Sequence, residues 1–227
     1  MSNPNIRFAW WATGLLAFLL SWDASGLDLA LAHEFGGSQG FALRDSWVLT
    51  HVLHDGAKYA AWVLLLMLSL CVTWPVGPLV RLPFWRRLQL PVSALLASAI
   101  ITLLKSASGS SCPWDLAEFG GVARHISHWS GWFGTDGGAG RCFPAGHAAT
   151  GFAFVGGFFA LRDEQPELAP VWLAVAIAAG LILGGAQQLR GAHFLSHTLW
   201  TGWLCGIVGW MVNWAFERAR RSGKFVE

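Results

Sequence analysis

Hydrophobic residues are gathered into six apolar stretches, separated by segments rich in charged residues, glycine and proline. The stretches are approximately Phe8–Trp22, Ala60–Val76, Leu90–Leu104, His147–Leu161, Val171–Leu189 and Thr198–Phe216. A helix needs about 20 mostly apolar residues to cross a bilayer, so we expect the shorter stretches to extend into their flanking residues. The pattern predicts an all-α polytopic membrane protein, a six-transmembrane-helix bundle that forms one domain over residues 1–227.

The first apolar stretch follows Arg7, much as the apolar part of a signal peptide follows a basic residue. It differs from a leader because Trp10, Trp11 and Trp22 lie within it, and because residues 23–26 form a weak cleavage site. We therefore expect this stretch to remain in the protein as an uncleaved membrane anchor.

The composition favours a membrane protein over other classes. Hydrophobic residues make up 54% of the chain and charged residues 12%, whereas about a quarter of the residues in soluble domains are charged. The net charge of +2 is too small to attract polyanions by itself. These values exclude a disordered chain, a nucleic-acid-binding protein and an ordinary soluble enzyme, and they leave the lipid bilayer as the expected partner.

The distribution of basic residues predicts the orientation, because cytoplasmic loops carry an excess of lysine and arginine. One side of the bundle would hold most of the 15 basic residues, namely Arg7, Arg81, Arg86, Arg87, Arg162, Arg218, Arg220, Arg221 and Lys224. The other side would hold Arg44, Lys58, Lys105, Arg124, Arg141 and Arg190, mixed with acidic residues. We expect the first side, with both termini, to be cytoplasmic.

The eight histidines all fall on the predicted outer side. They are His33, His51, His54, His125, His128, His147, His193 and His197. Solvation of loops explains His33, His125 and His128 well, but His147 and His193 lie against the mouths of apolar helices. This placement favours chemistry at the outer face.

Three polar clusters, residues 105–116, 141–147 and 187–197, face this outer compartment. Each is ambiguous alone. Lys105 could extend to the membrane interface from a helix end, and Gly146 could stand at a helix N-terminus whose N–H groups favour phosphate. His193 and His197 are four residues apart and could share a helix face for a metal, although no glutamate follows the first histidine as in the zinc-protease helix.

Together, the clusters resemble the three-part signature of the type 2 phosphatidic acid phosphatase superfamily. The matching elements are Lys105 with Pro113, then Pro144-Ala-Gly-His147, and then Gly191-Ala-His193. The segments Cys112-Pro-Trp-Asp-Leu and Arg141-Cys-Phe-Pro-Ala-Gly-His also resemble a bacterial membrane-bound subgroup. The resemblance implies an inner-membrane enzyme with its active site at the periplasmic face.

The resemblance implies hydrolysis of a lipid phosphate or diphosphate in two steps, with no metal or other cofactor. His193 would attack phosphorus and become a phosphohistidine, and His147 would protonate the leaving oxygen. This division suits the reaction, because phosphoryl transfer depends on positioning and charge stabilisation, and histidine is suited to proton transfer near neutral pH. A phosphotransferase with a lipid acceptor is a close variant.

Four positions depart from the family pattern. Cys112 and Gln187 stand where the family has arginine, Ala145 where it has serine, and His197 where it has aspartate. Each lost hydrogen bond to phosphate would cost about 1 kcal/mol, or about 1.5–3 kcal/mol if it is charge-assisted. Two alternatives therefore stay open: a catalytically decayed protein that binds or transports phospholipid on the same scaffold, and a metal-dependent hydrolase that uses His193 and His197.

Other residues could replace the missing groups. Arg190 is three residues from Gln187 and would share its helix face, and Arg141 could take the place of the arginine of the first motif. His197 could hydrogen-bond to His193 and fix its tautomer. Asp115 could supply the carboxylate that the family has at the position of His197. The backbone amides of Ala145 and Gly146 would remain available to phosphate.

The four cysteines divide into two pairs. Cys71 and Cys205 fall within apolar stretches, whereas Cys112 and Cys142 fall in one outer loop, each beside a phosphate motif. Because an oxidising periplasm permits disulfides, we expect Cys112 and Cys142 to be bonded. The alternative is a pair of reduced thiols.

Overall fold

The computed structural model describes residues 4–223, so Lys224 lies outside the described residues. The described chain is helical apart from its loops and a small hairpin of Gly36–Gly37 and Gly40–Phe41. The helices are α1 (Pro4–Ser25), α2 (Leu27–His33), α3 (Ala57–Thr73), α4 (Phe84–Ala107), α5 (Gly146–Phe152), α6 (Gly157–Leu161), α7 (Leu168–Leu189) and α8 (Leu195–Arg221). A π-helix, Val48–Gly56, runs directly into α3, and a 3₁₀ turn, Ala153–Gly156, joins α5 to α6.

All six apolar stretches are helical over most of their length, although not all of these helices are long and apolar enough to cross a membrane. In the described chain, three segments meet that condition: Val48–Arg81, Phe84–Ala107 and Leu168–Leu189. A fourth is present if the bent pair α1 and α2 counts as one span. The stretch Gly146–Leu161 is shorter. The structure therefore fits an all-helical membrane protein with three or four candidate spans, and the count of six remains a prediction.

Small residues bring the helix backbones close together. A Cβ atom on Gly209 of α8 would lie 2.6 Å from the Cα atom of Gly156, in the turn between α5 and α6. Such close packing is typical of helices in membranes, where association depends on van der Waals contact. It holds α8 directly against the α5–α6 segment.

The guanidinium group of Arg86 joins three parts of the fold at the end of the bundle opposite the histidines. Arg86 is only 2% exposed. It donates hydrogen bonds to Gln89 Oε1 (3.1 Å), the Phe159 carbonyl oxygen (3.2 Å), Asn213 Oδ1 (2.9 Å), Glu217 Oε1 (2.6 Å) and the Asp163 carboxylate. Since a guanidinium offers five N–H donors in a fixed plane, one side chain connects α4, the end of α6 and α8.

The start of α1 lies at this same end. The ring of Phe8 contacts the rings of Phe159, with centroids 5.3 Å apart, and Trp210, with centroids 5.6 Å apart. The helix ends that carry Arg7, Arg86 and Arg162 are therefore grouped together, as the distribution of basic residues predicts.

The glycine-rich loop between α4 and α5 is folded against the first motif. The carboxylate of Asp136 accepts hydrogen bonds from the Ser111 backbone N–H (2.5 Å) and from Ser111 Oγ (2.7 Å). The Gly109 N–H donates to the Gly131 carbonyl oxygen (2.8 Å). These contacts fix the segment that precedes Cys112.

Replacement of Arg86 is expected to destabilise the bundle. Arg86→Ala would leave several buried acceptors and two carboxylates without their donor, and removal of one partner from a buried ion pair costs about 3–5 kcal/mol. We expect the lower part of this range, because Asp163 and Glu217 are partly exposed. The melting temperature in detergent checks this, with Arg81→Ala as the control because Arg81 is exposed. Equal melting temperatures for the two variants would contradict it.

Candidate active site

The junction between α5 and α8 brings the second and third motifs together. Ala145 is fully buried; its N–H donates to the His197 carbonyl oxygen (3.3 Å), and its carbonyl oxygen accepts from Thr201 Oγ1 (3.1 Å). The Ala145 amide is thus occupied within the fold, in contrast to the expectation that it would face phosphate. Its role is to fix the N-terminus of α5, and with it His147, against the first turns of α8.

Lys105, at the end of α4, lies beside this junction. A Cβ atom on Gly146 would lie 3.4 Å from Lys105 Cδ, so the lysine stem crosses directly over the start of α5. The lack of a side chain at Gly146 leaves room for this contact. The first motif therefore meets the second, as the sequence pattern predicts.

His193 lies in the short loop between α7 and α8. The loop turns at Gly191, which has a φ of +75° and could carry no side chain, because a Cβ atom there would lie 2.3 Å from the ring of Phe41. The Ala192 N–H donates to the Gln187 carbonyl oxygen (2.8 Å). This turn directs His193 inward, where it is 2% exposed.

The histidines form a row of neighbouring rings. The centroid of His147 lies 6.1 Å from that of His193, which lies 5.8 Å from that of His197. The row extends at both ends to rings that the motifs did not indicate: His54 is 3.9 Å from His147, and His128 is 5.6 Å from His197. The predicted nucleophile and acid are therefore neighbours.

The surroundings of His193 favour its neutral form. Burial lowers the pKa of His193 well below its ordinary value, and the positive charge of Lys105 acts in the same direction. Nδ1 of His193 lies 3.4 Å from Cys142 Sγ. Because a disulfide sulfur has no proton, a hydrogen bond at this contact requires Nδ1 to be the donor, which leaves Nε2 unprotonated.

The expected hydrogen bond between His197 and His193 is not formed. The two rings meet nearly edge-on, at 66°, and His197 Nδ1 is buried without a partner in the described chain. The four-residue spacing does place both side chains in one site. It does not bring their nitrogens together, because His193 precedes α8 and points from the loop.

Gln187 and Arg190 share one face of α7, as their spacing predicts. Arg190 Nη1 donates to Gln187 Oε1 (3.2 Å), and Arg190 Nε donates to the Arg44 carbonyl oxygen (2.8 Å). Gln187 Nε2 is buried and has no partner among the described residues. Arg190 therefore offers a positive charge, and Gln187 offers an amide N–H donor that has no partner among the described residues.

In the described chain, the contacts of Asp115 and Arg141 are with residues other than the row of histidines. The carboxylate of Asp115 accepts a hydrogen bond from Trp114 Nε1 (3.1 Å), and the Trp114 ring lies beneath Arg44 and Arg190. Asp115 thus supports the ring that packs on Arg190. The exposed side chain of Arg141 lines a separate cleft formed with the glycine-rich loop.

A small cavity of about 110 Å³, lined by both polar and apolar residues, lies beside His197. Asp23, at the end of α1, lines it and lies 3.3 Å from His128 Nε2, measured from Oδ2. Asp23 Oδ2 also accepts from Trp129 Nε1 (3.0 Å) and Trp200 Nε1 (2.9 Å). The carboxylate at the His128 end of the row thus comes from α1, which none of the three motifs includes.

A disulfide joins Cys112 and Cys142, whose Cα atoms are 5.1 Å apart. It connects the first motif to the second, while Cys71 and Cys205 remain free and buried.

Among the described residues, the set of side chains that could hold a metal is Cys112, Cys142 and His193. Because the thiolate is the metal ligand, bonded sulfurs leave this set with His193 alone.

The disulfide is expected to survive purification from an oxidising compartment. Digestion without reduction should give one linked peptide containing Cys112 and Cys142, with Cys71 and Cys205 alkylated after denaturation. Replacement of both bonded cysteines by alanine should destabilise the protein by about 3–4 kcal/mol, because the bond closes a loop of about 30 residues. Mass spectrometry and melting temperatures check this, and recovery of Cys112 and Cys142 as alkylated thiols would contradict it.

Comparison with known proteins covers the same region of the chain. The family model described as the PAP2 superfamily matches residues 87–221, which include most of α4, the helices α5 to α8 and all three motifs. No curated protein and no solved structure gives a significant match. Membership of this family supports phosphoric ester hydrolysis in general. Since the matched segment covers more than half of the chain and holds the assembled site, the protein belongs to the PAP2 superfamily.

Proposed function

We propose that the protein is a membrane phosphatase that hydrolyses a lipid phosphate or diphosphate through a phosphohistidine on His193. The carrying observation is the pair of neighbouring rings, His147 and His193, with centroids 6.1 Å apart between the ends of α4, α5 and α7. This distance supports the proposal, because two histidine rings so close together could both contact one phosphate group. Neither step needs a metal ion or another cofactor.

In the first step, the lone pair on His193 Nε2 forms a bond to phosphorus as the bond to the leaving oxygen breaks. His147 donates a proton to that oxygen, and the lipid product leaves. In the second step, water attacks phosphorus, His147 accepts its proton, and the P–N bond breaks to release inorganic phosphate and neutral His193. General acid–base catalysis of this kind typically contributes about 10²–10⁴-fold.

The phosphate oxygens would be held by Lys105, Arg190 and Gln187 Nε2. Two of these groups carry positive charge, and the amide has no other partner among the residues that the structure describes. Preorganised donors of this kind stabilise the charge that develops on the transferring phosphoryl group. Arg190 thus compensates for the arginine that Gln187 replaces, at a position nearer to His193.

The site would face the periplasm of a bacterial inner membrane, in a six-helix bundle with both termini in the cytoplasm. Two observations support this orientation. The basic helix ends lie opposite the histidines, in agreement with the positive-inside rule, and the disulfide beside the site requires an oxidising compartment. A site at the mouth of apolar helices would select amphiphilic phosphates.

Loss of His193 is expected to abolish turnover. Purified protein would be given short-chain phosphatidic acid or a polyprenyl diphosphate, with and without EDTA and vanadate. We expect phosphate release that vanadate blocks and EDTA does not, and an acid-labile phosphoryl group on rapid quenching that His193→Ala lacks. The exposed His33 provides the control variant, His33→Ala, with turnover like that of the wild type.

Other results of this assay would overturn the proposal. Release that EDTA abolishes would favour the metal-dependent hydrolase. Binding of the lipid without release of phosphate would favour the decayed binding protein. Near-normal activity of His193→Ala would show that the nucleophile is another residue.

Arg190 is expected to be essential for binding the transition state. Arg190→Ala should lower kcat/KM by roughly 10²-fold, equivalent to about 2.7 kcal/mol. Arg190→Lys should recover only part of this, because a point charge does not reproduce the donor geometry of a guanidinium. Arg141→Ala should have a far smaller effect, since its side chain lies in a separate cleft. Steady-state kinetics check this, and unimpaired Arg190→Ala would contradict it.

A further inference from the structure

The chain enters α3 through a π-helix of nine residues, Val48–Gly56. π-Helices are rare and are frequently found at functional sites. This one carries His51, His54 and Asp55. It lies outside the segment matched by the family model.

His54 contacts the proposed general acid directly. The ring centroids of His54 and His147 are 3.9 Å apart with the planes inclined by 38°. His54 Nδ1 lies 2.7 Å from Asp55 Oδ1, and the His54 side chain is 29% exposed. Asp55 thus fixes the orientation of a ring that covers one face of His147.

His147 has little else among the described contacts to fix its ring. Its Nδ1 is buried and has no partner in the described chain. Its next ring neighbour, His193, is more distant, at 6.1 Å. The plane of the His147 ring therefore depends on packing, and the closest packed ring is His54.

We propose that His54, held by Asp55, is a positioning residue that keeps the His147 ring aligned for proton transfer to the leaving oxygen. This inference rests on the proposed function. A misplacement of about 1 Å in a reacting group can cost about 10²-fold in rate. The loss should be greatest for substrates whose leaving group needs a proton.

The neighbouring His51 provides a matched control. It lies on the same π-helix and is exposed, its Nδ1 is 3.3 Å from the Trp47 carbonyl oxygen, and its ring stacks on Trp47 with centroids 5.5 Å apart. It therefore shares the backbone and chemistry of His54 without touching His147.

The test compares His54→Ala, His54→Phe and His51→Ala with two substrates. For short-chain phosphatidic acid, which has a basic alkoxide leaving group, His54→Ala should lower kcat by roughly 10²-fold with little change in KM. For para-nitrophenyl phosphate, whose leaving group needs no proton, the loss should be far smaller. His54→Phe, which keeps a ring against His147, should recover most of the activity, and His51→Ala should resemble the wild type.

A second measurement does not depend on turnover. In protein labelled at histidine and held in nanodiscs, the ring of His54 should shift the NMR signal of His147. This shift should disappear in His54→Ala and persist in His54→Phe and His51→Ala. The positioning role would be overturned if the His147 signal were the same in the wild type and in His54→Ala. It would also be overturned if His54→Ala lost activity equally on both substrates. An inactive wild type with the expected NMR shifts would instead contradict the proposed phosphatase.

Discussion

The two hydrogen bonds that join the backbone of Ala145 to α8 are the interaction on which the site depends. Its N–H reaches the His197 carbonyl oxygen, and its carbonyl oxygen accepts from Thr201. They join the start of α5 to the start of α8, so that two histidines far apart in the sequence meet. The close contact between Gly156 and Gly209 continues this junction toward the other end of the bundle. Small residues thus hold the site together, and larger polar residues act within it.

The sequence predicts the features that depend on local pattern. Each apolar stretch is helical over most of its length, Gln187 and Arg190 are hydrogen-bonded neighbours, and Cys112 and Cys142 are at bonding distance. Periodicity and spacing are sufficient for these features because each is decided within one element or one loop. The number of spans is harder to predict from the sequence. The mean hydropathy of α8 is lowered by its polar residues whether they are buried inside the protein or exposed.

The features that sequence reasoning missed depend on tertiary contact. Asp23 reaches His128 only because α1 ends beside the folded outer loop. His54, on the π-helix, reaches His147 on α5, an element distant in the sequence. Adjacent His54 and Asp55 were a visible signal, although nothing in their spacing indicates which element they face. Arg141 shows the converse, since proximity in sequence to His147 did not bring its side chain to the site.

The bent pair of helices α1 and α2 supports α8 through two carboxylates, one of which is Asp28. Its carboxylate accepts the Ser196 N–H (3.0 Å) at the start of α8, and Asp23 holds Trp200 one turn later. Both acids precede the segment that sequence comparison recognises, which begins at residue 87. The recognised segment therefore leaves out two carboxylates that hold the start of α8. Transplanted alone into another membrane protein, it would carry the motifs without the helix that supports them.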